Sequence, residues 1–303
     1  MTRRRIVGVV VAAWLLVGSL GAWAYGNSYW VYRGFAPPVD PPGVAAGRLV
    51  HAAVYSPALG RQATYNVYLP PGYAAAARQG TRFRVLYLLH GTPGRPQVFM
   101  TTAAAGVRMD KLVARHAIRP YILVMPNGRD GSFHSDTEWA NTAHGRYEGM
   151  VLDVVRSVDA RWPTLANRQG RAIAGLSEGG YGAINIALHH LGTFSVAESW
   201  SGYFTQKPAG VYATATPAQL RAASPAAYVG SMGASLRNLP LHAYLYNGRQ
   251  DRGTPEMLAF GAGLRAAGGD VTAATPPGKH DWRLWRGQMS RMLRYADQKM
   301  TAR

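Results

Sequence analysis

Short apolar runs alternate along most of this chain with longer stretches in which apolar residues recur at every third or fourth position. Residues 84–89 (RVLYLL) and 121–125 (YILVM) are nearly continuous apolar runs, the pattern of strands buried on both faces. Between them Met109, Leu112, Val113 and Ile118 fall at helical spacing, and Tyr147, Met150, Val151, Val154, Val155 and Val158 form a clear helical stripe. A strand at residues 172–175 leads through a glycine-rich turn into a helix ending near Gly192; further strands fit residues 194–198 and 241–246. Helices fit residues 255–267 and 282–300. This alternation predicts an α/β protein with a mostly parallel central sheet and helices on both faces. Residues 48–55 and 63–69 instead alternate and are rich in Val and Tyr, with Pro57 and Gly60 between them, which predicts a hairpin-like opening pair. The rhythm breaks over residues 206–240, rich in Ala, Pro, Ser and Gly: a small irregular cap over a site, or a surface insertion.

The first 25 residues follow a different rule. Arg3, Arg4 and Arg5 precede an uncharged stretch dominated by Val, Leu, Ala and Trp, the layout of an export signal whose basic end stays on the cytoplasmic side. Ala22-Trp23-Ala24 fits a small-x-small cleavage site. Against cleavage, the stretch is long enough to span a bilayer, and Trp23, Tyr25, Tyr29, Trp30 and Tyr32 cluster where an interfacial aromatic belt lies. Residues 1–25 are therefore read as a signal peptide or single-span anchor, with the anchor preferred. Residues 26–45, with four prolines in APPVDPPG, are read as a semi-rigid linker, and residues 46–303 as the folded domain, extracytoplasmic in either case.

Composition narrows the chemistry. The chain has no cysteine, which excludes disulfides, thiolate metal sites and a cysteine nucleophile. Its net charge of +18 comes mostly from arginines spread along the chain, with Lys111, Lys207, Lys279 and Lys299 the only lysines. That dispersal argues against nucleic acid as a partner and for attraction to an anionic envelope or membrane surface.

The candidate chemistry centres on Gly175-Leu176-Ser177-Glu178-Gly179, with an apolar run before it and an apolar helix after it. A serine on such a strand-to-helix turn sits in a strained conformation with its hydroxyl exposed, and flanking glycines keep other side chains out of the turn. A serine hydroxyl needs a base, and the base an orienting carboxylate. His280, in the loop PPGKHDW before the last helix, is the preferred base over His189, His190 and His242. Asp251, just past the run at residues 241–246, is the preferred acid, with Glu256, Asp270 and Asp281 as alternates. A developing oxyanion needs N–H donors: that of Glu178 follows the serine at a helix N-terminus, and that of Thr92 lies in His90-Gly91-Thr92-Pro93-Gly94, where Pro93 has none to offer. Trp139, Tyr203, Phe204 and Trp282 are candidates to line an acyl pocket.

Taken in order, Pro70 to Tyr73 (PPGY), Leu88 to Gly91 (LLHG), Met125 to Gly128 (MPNG), Gly175 to Ala183 (GLSEGGYGA), Trp200 to Phe204 (WSGYF) and His280 to Trp282 (HDW) resemble the Putative esterase family of α/β-hydrolases over about residues 46–297. That group includes esterase D-type enzymes, enterochelin and feruloyl esterases and mycolyltransferases. The resemblance implies the α/β-hydrolase fold, a Ser177, Asp251, His280 catalytic triad and an oxyanion hole from the Thr92 and Glu178 N–H groups. It implies ester substrates, lipid or cell-envelope components among them, with no metal or organic cofactor required. Many members carry methionine after the serine; Glu178 is a departure that puts a carboxyl group beside the oxyanion hole, where it is expected to keep its backbone donor and to repel anionic substrates or favour cationic ones. The leading expectation is an exported serine esterase. The alternatives are an acyltransferase that uses a sugar or lipid alcohol in place of water, and a non-catalytic envelope-binding protein on the same fold.

Overall fold

The computed structural model describes residues 3–132 and 136–301. Its elements are α1 (Arg3–Tyr32), β1 (Arg48–Ser56), β2 (Arg61–Leu69), α2 (Tyr73–Arg78), β3 (Val85–Leu89), α3 (Ala105–Ala114), β4 (Ile122–Pro126), a two-residue hairpin β5 (Asn141–Thr142) and β6 (Gly145–Arg146), and α4 (Tyr147–Arg161). After these come β7 (Arg171–Leu176), α5 (Glu178–His189), β8 (Val196–Trp200), α6 (Pro217–Ala222), α7 (Pro225–Tyr228), α8 (Gly233–Asn238), β9 (His242–Tyr246), α9 (Thr254–Ala266), β10 (Asp270–Ala274) and α10 (Trp282–Lys299).

Eight strands form one sheet in the order β1-β2-β4-β3-β7-β8-β9-β10. The β1/β2 and β2/β4 pairs are antiparallel and every pair from β4 to β10 is parallel. The apolar runs explain the layering. In β3, Val85, Tyr87 and Leu89 enter one core with Met150, Val154, Ile184 and Met257 from α4, α5 and α9, while Leu86 and Leu88 enter a second core with Met109, Met289 and Leu293 from α3 and α10. A strand buried on both faces has no polar face to show, hence the unbroken runs.

Several elements differ from the sequence pattern, among them α2 and the β5/β6 hairpin, which it does not predict, and α3, which starts and ends four residues earlier than the expected 109–118. β8 begins two residues later than expected, because it carries the fully buried polar pair Glu198 and Ser199, which hydropathy assigns to a strand end. β10 is absent from the expectation: it is an edge strand with no fully buried residue, and its only large apolar residue is Val271. α1 runs on to Tyr32, so the irregular segment before β1 starts at Arg33 and not at residue 26. Residues 206–240 fold into α6, α7 and α8 with short 3-10 turns; α7 packs against the flank of α5, Tyr228 donating to Asn185 Oδ1 at 2.9 Å, and Ala226 N–H donates to Phe204 O, in the loop after β8, at 3.0 Å.

The last helix is fastened at its far end by Arg84. Its guanidinium, only 4% exposed, donates to Asp297 Oδ1 at 2.6 Å, to Asp297 O at 2.9 Å and to the Met300 and Arg119 carbonyls. Removing one partner of such a pair strands the other charge inside the protein. Asp297→Ala is therefore expected to lower the unfolding free energy by about 3 kcal/mol in urea denaturation. A loss no larger than that of exposed Arg119→Ala, about 0.5 kcal/mol, would remove this account.

Candidate active site

Ser177 stands between β7 and α5 with φ 55° and ψ −120°, a conformation costing a non-glycine residue on the order of 1–3 kcal/mol. The surroundings hold it there. Ser177 N–H donates to Trp200 O at 2.8 Å, and the Ser177 carbonyl accepts the N–H groups of Gly180 and Tyr181 at 2.9 and 3.1 Å, which starts α5. Glycine at 175 and 179 is a matter of space: a Cβ on Gly179 would fall on the Leu89 carbonyl oxygen, and one on Gly175 on the Gly179 backbone. With only hydrogens there, α5 packs directly onto the carboxyl ends of β3 and β7, and the serine side chain is lifted above the sheet.

Two loops from later strands reach this point. Asp251 follows β9, its Oδ1 accepting Gly253 N–H at 3.0 Å and its Oδ2 lying 2.9 Å from His280 Nδ1. His280 Nε2 lies 3.0 Å from Ser177 Oγ. A carboxylate only accepts, so Nδ1 carries the proton, Nε2 is left as a lone-pair acceptor and the Ser177 hydroxyl donates to it. Asp251 has a 7% exposed side chain and His280 a 43% exposed one, so the acid is shielded while one side of the imidazole stays open to solvent. Trp285, which sequence reasoning missed, supports the ring: it packs edge-on to His280 at 5.1 Å and its Nε1–H donates to Ser201 Oγ at 3.1 Å. Its signal was its place one helical turn beyond Trp282, against which it also packs.

The alternates are engaged elsewhere. His189 and His190 bond to Glu148 at the far end of α5, and His242 bonds to Asp270 at 2.6 Å. Glu256 accepts Phe204 N–H at 2.9 Å, and Asp281 caps α10 by accepting the N–H groups of Arg283 and Leu284. A surface cleft of about 340 Å³, lined among others by Glu148, Asn185, His189 and Tyr212, lies beside that far end of α5 and not at Ser177.

The loop after β3 runs alongside the elbow. A Cβ on Gly91 would come within 2.9 Å of Leu176 O and 3.1 Å of Ser177 Cβ, so the Gly91-Thr92 backbone lies against the serine. Glu178 N–H opens α5 and, by helix geometry, has no partner within it; the helix dipole adds positive potential there. His90 braces the loop from behind. Its Nε2 accepts Gly128 N–H at 3.1 Å, which puts the proton on Nδ1, 3.1 Å from Gly91 O. Burial, opposed by that bond to Gly91 O, lowers its pKa to about 4, so the ring is neutral. Trp139 packs edge-on to His90 and donates from Nε1 to His90 O at 2.9 Å.

Among the expected pocket residues, Trp139 and Phe204 are completely buried in the core, Phe204 stacked on Phe260. Tyr203 and Trp282 are half-buried, with the Tyr203 hydroxyl donating to Glu138 at 2.6 Å. Glu178 also corrects expectation. Its side chain is turned into the protein; the residue is 4% exposed, with Oε1 accepting Thr137 N–H at 3.1 Å and Oε2 bonded to the Thr92 hydroxyl. Burial, with repulsion from Glu138 and Asp136 added, raises its pKa to about 8.

The sheet order, the strand-turn-helix at Ser177 and the loops that carry Asp251 and His280 from beyond β9 and β10 define an α/β-hydrolase. The model of the family described as Putative esterase matches residues 56–296, and the chain belongs to that family. It is 26% identical over 249 residues to an endo-1,4-beta-xylanase/feruloyl esterase of Xylanibacter ruminicola, a match covering 81% of this chain and 31% of that protein. It is 33% identical over 156 residues to an esterase of Mycobacterium tuberculosis, covering 51% of this chain and 32% of the relative. The chain thus matches about a third of the length of these relatives. Among solved structures it resembles a ferulic acid esterase, with TM-score 0.74, 25% identity and 84% and 99% of the two chains covered. An S-formylglutathione hydrolase of Staphylococcus aureus, at TM-score 0.68 and 20% identity over 83% of this chain and 99% of that one, shares the fold.

The neutral His90 ties stability to pH. Its folded pKa lies below the unfolded value of about 6.5, so its contribution is present above that value and is lost as pH falls towards about 4. The full loss is on the order of 3 kcal/mol. Denaturation between pH 7 and 4 is expected to show that decline, shallower in His90→Asn; equal slopes in the two proteins would refute it.

Proposed function

We propose that the protein is an exported serine esterase that forms an acyl-enzyme on Ser177. The observation that carries this reading is the hydrogen-bonded series from Ser177 Oγ through His280 to Asp251 at the tip of the elbow. Ser177 Oγ attacks the ester carbonyl carbon while its proton passes to His280 Nε2. The negative oxygen of the tetrahedral intermediate is met by the N–H groups of Glu178 and Thr92. Asp251 holds the ring in the required tautomer and stabilises its cation. As the intermediate collapses, the alcohol leaves with the proton from Nε2. Water then attacks the acyl carbon, giving a proton to Nε2, and the second collapse releases the acid and restores the serine hydroxyl.

The exposed side of His280 leaves room for an acceptor larger than water, which favours acyl transfer to a sugar or lipid alcohol as the second reading. Both share the first half-reaction and part at the acceptor. Ser177→Ala is expected to lower kcat/KM on a short p-nitrophenyl ester by at least about 1,000-fold and to abolish labelling by a fluorophosphonate probe. Full activity in that variant would sink the serine mechanism. Partition of the acyl group between water and added glycerol or trehalose separates hydrolase from transferase.

The N-terminal helix supports the location. Residues Arg5–Gly26 form an apolar segment with none of its span buried against the domain, about 33 Å long at 1.5 Å per residue, against a hydrocarbon core of about 30 Å. Just beyond it the chain touches the domain on the side where α10 begins: Thr102 Oγ1 donates to Val31 O at 3.1 Å and the Arg286 guanidinium lies 4.8 Å over the Phe35 ring. An anchor retained there holds the domain close to the bilayer with Arg286 one turn from the His280 loop, which suits esters of envelope lipids. The protein extracted from membranes is expected to keep its N-terminal residues in mass spectrometry; a mature N-terminus at Tyr25 would replace the anchor with a cleaved signal.

A further inference from the structure

Glu178 is the one ionisable residue of the elbow, and the mechanism above does not use its side chain. Its carboxyl lies between two loops that come from different strands. On one side is Thr92, after β3, whose hydroxyl bonds to Oε2; on the other is Thr137, after β4, whose N–H reaches Oε1 at 3.1 Å and whose hydroxyl donates to Gly128 O at 3.0 Å. The groups that face it are acidic or neutral: Glu138 and Asp136 from the loop after β4, and Tyr203 from the loop after β8. Glu138 is itself occupied by the Tyr203 hydroxyl and by Gln206 Nε2 at 2.8 Å.

We propose that Glu178 is a positioning residue for the oxyanion site, clamping the loop after β3 to the loop after β4 so that the Thr92 N–H is fixed beside the N–H of Glu178 itself. This deepens the serine-esterase reading and rests on it. The same residue then supplies one donor through its backbone and sets the other through its side chain. The clamp works in the neutral form. Protonated, Oε2–H donates to the Thr92 hydroxyl while Oε1 accepts from Thr137, and both ends are satisfied. Ionised, the carboxylate would bring a negative charge beside the place where the transition state develops another, and it would face Glu138 and Asp136 as well. Burial and those two neighbours hold the proton on Glu178 until about pH 8. Proton loss above that value therefore lowers turnover, which gives the pH profile of kcat an alkaline limb.

Three variants test the proposal. Glu178→Gln keeps the clamp, its amide donating to Thr92 and accepting from Thr137, but cannot ionise; kcat is expected within about threefold of the parent, with the alkaline fall near pH 8 gone. Glu178→Met removes both bonds and is expected to lower kcat by about 10- to 100-fold with KM within about twofold. Thr92→Val removes the other end of the clamp at equal volume and is expected to match Glu178→Met, the double variant being no worse than either alone. A parental kcat in Glu178→Met, additive losses in the double variant, or an alkaline limb retained in Glu178→Gln would each overturn the proposal. Thermal melting identifies a variant that does not fold, and Thr92→Val with Glu178→Gln carries the test if Glu178→Met is such a one. Fluorophosphonate labelling of the parent is measured first: no label refutes the serine reading, whereas normal labelling with unaltered Glu178 variants refutes the clamp alone.

Discussion

The architecture of the site depends on one close approach. The start of α5 lies against the end of β3 so tightly that neither Gly175 nor Gly179 can carry a Cβ, and the Ser177 backbone is forced to positive φ in between. From that contact the rest follows: the hydroxyl rises above the sheet, the first N–H groups of α5 point towards it, and the loop after β3 is drawn alongside. The strain at one residue is carried by bonds around it, among them Ser177 N–H to Trp200 O, and by the sheet beneath.

A second layer of order lies behind the loops and is polar and buried. His90, Trp139, Thr137 and Glu178 are all buried, and each meets a backbone group or a hydroxyl of a loop beside Ser177. Buried polar groups cost free energy unless satisfied, so a network of this kind specifies one arrangement of loops that apolar packing alone would leave loose. The neutral imidazole of His90 and the raised pKa of Glu178 share a cause: burial with few opposite charges to offset it.

Most of the sheet was legible in the sequence because its strands are buried on both faces and so read as unbroken apolar runs, as in β3 and β4. β10 was not, since an edge strand needs few apolar residues, and β8 was misplaced because hydropathy cannot see that Glu198 and Ser199 are buried. In the candidate site, Ser177, Asp251 and His280 stand out because their chemistry, chain order and turn-rich contexts coincide. The contribution of Trp285 and the inward turn of Glu178 depend on tertiary contacts with Ser201, Thr92 and Thr137, which no local pattern encodes. For the same reason the buried Trp139 and Phe204 looked like pocket residues: an aromatic side chain reads alike in a core and in a cleft.

The order of the parts along the chain has its own consequence. Ser177 and its elbow are laid down well before Asp251 and His280, and the helix that steadies the His280 loop is fastened by Arg84 only through Asp297 and Met300 at its far end. A chain that emerges N-terminus first therefore carries Ser177 without the His280 imidazole beside it until nearly its last turn of helix has docked. The hydrogen-bonded series from Ser177 to Asp251 is thus the last part of the site to close, and a chain that has lost its last helix lacks the Trp285 support beneath the His280 ring.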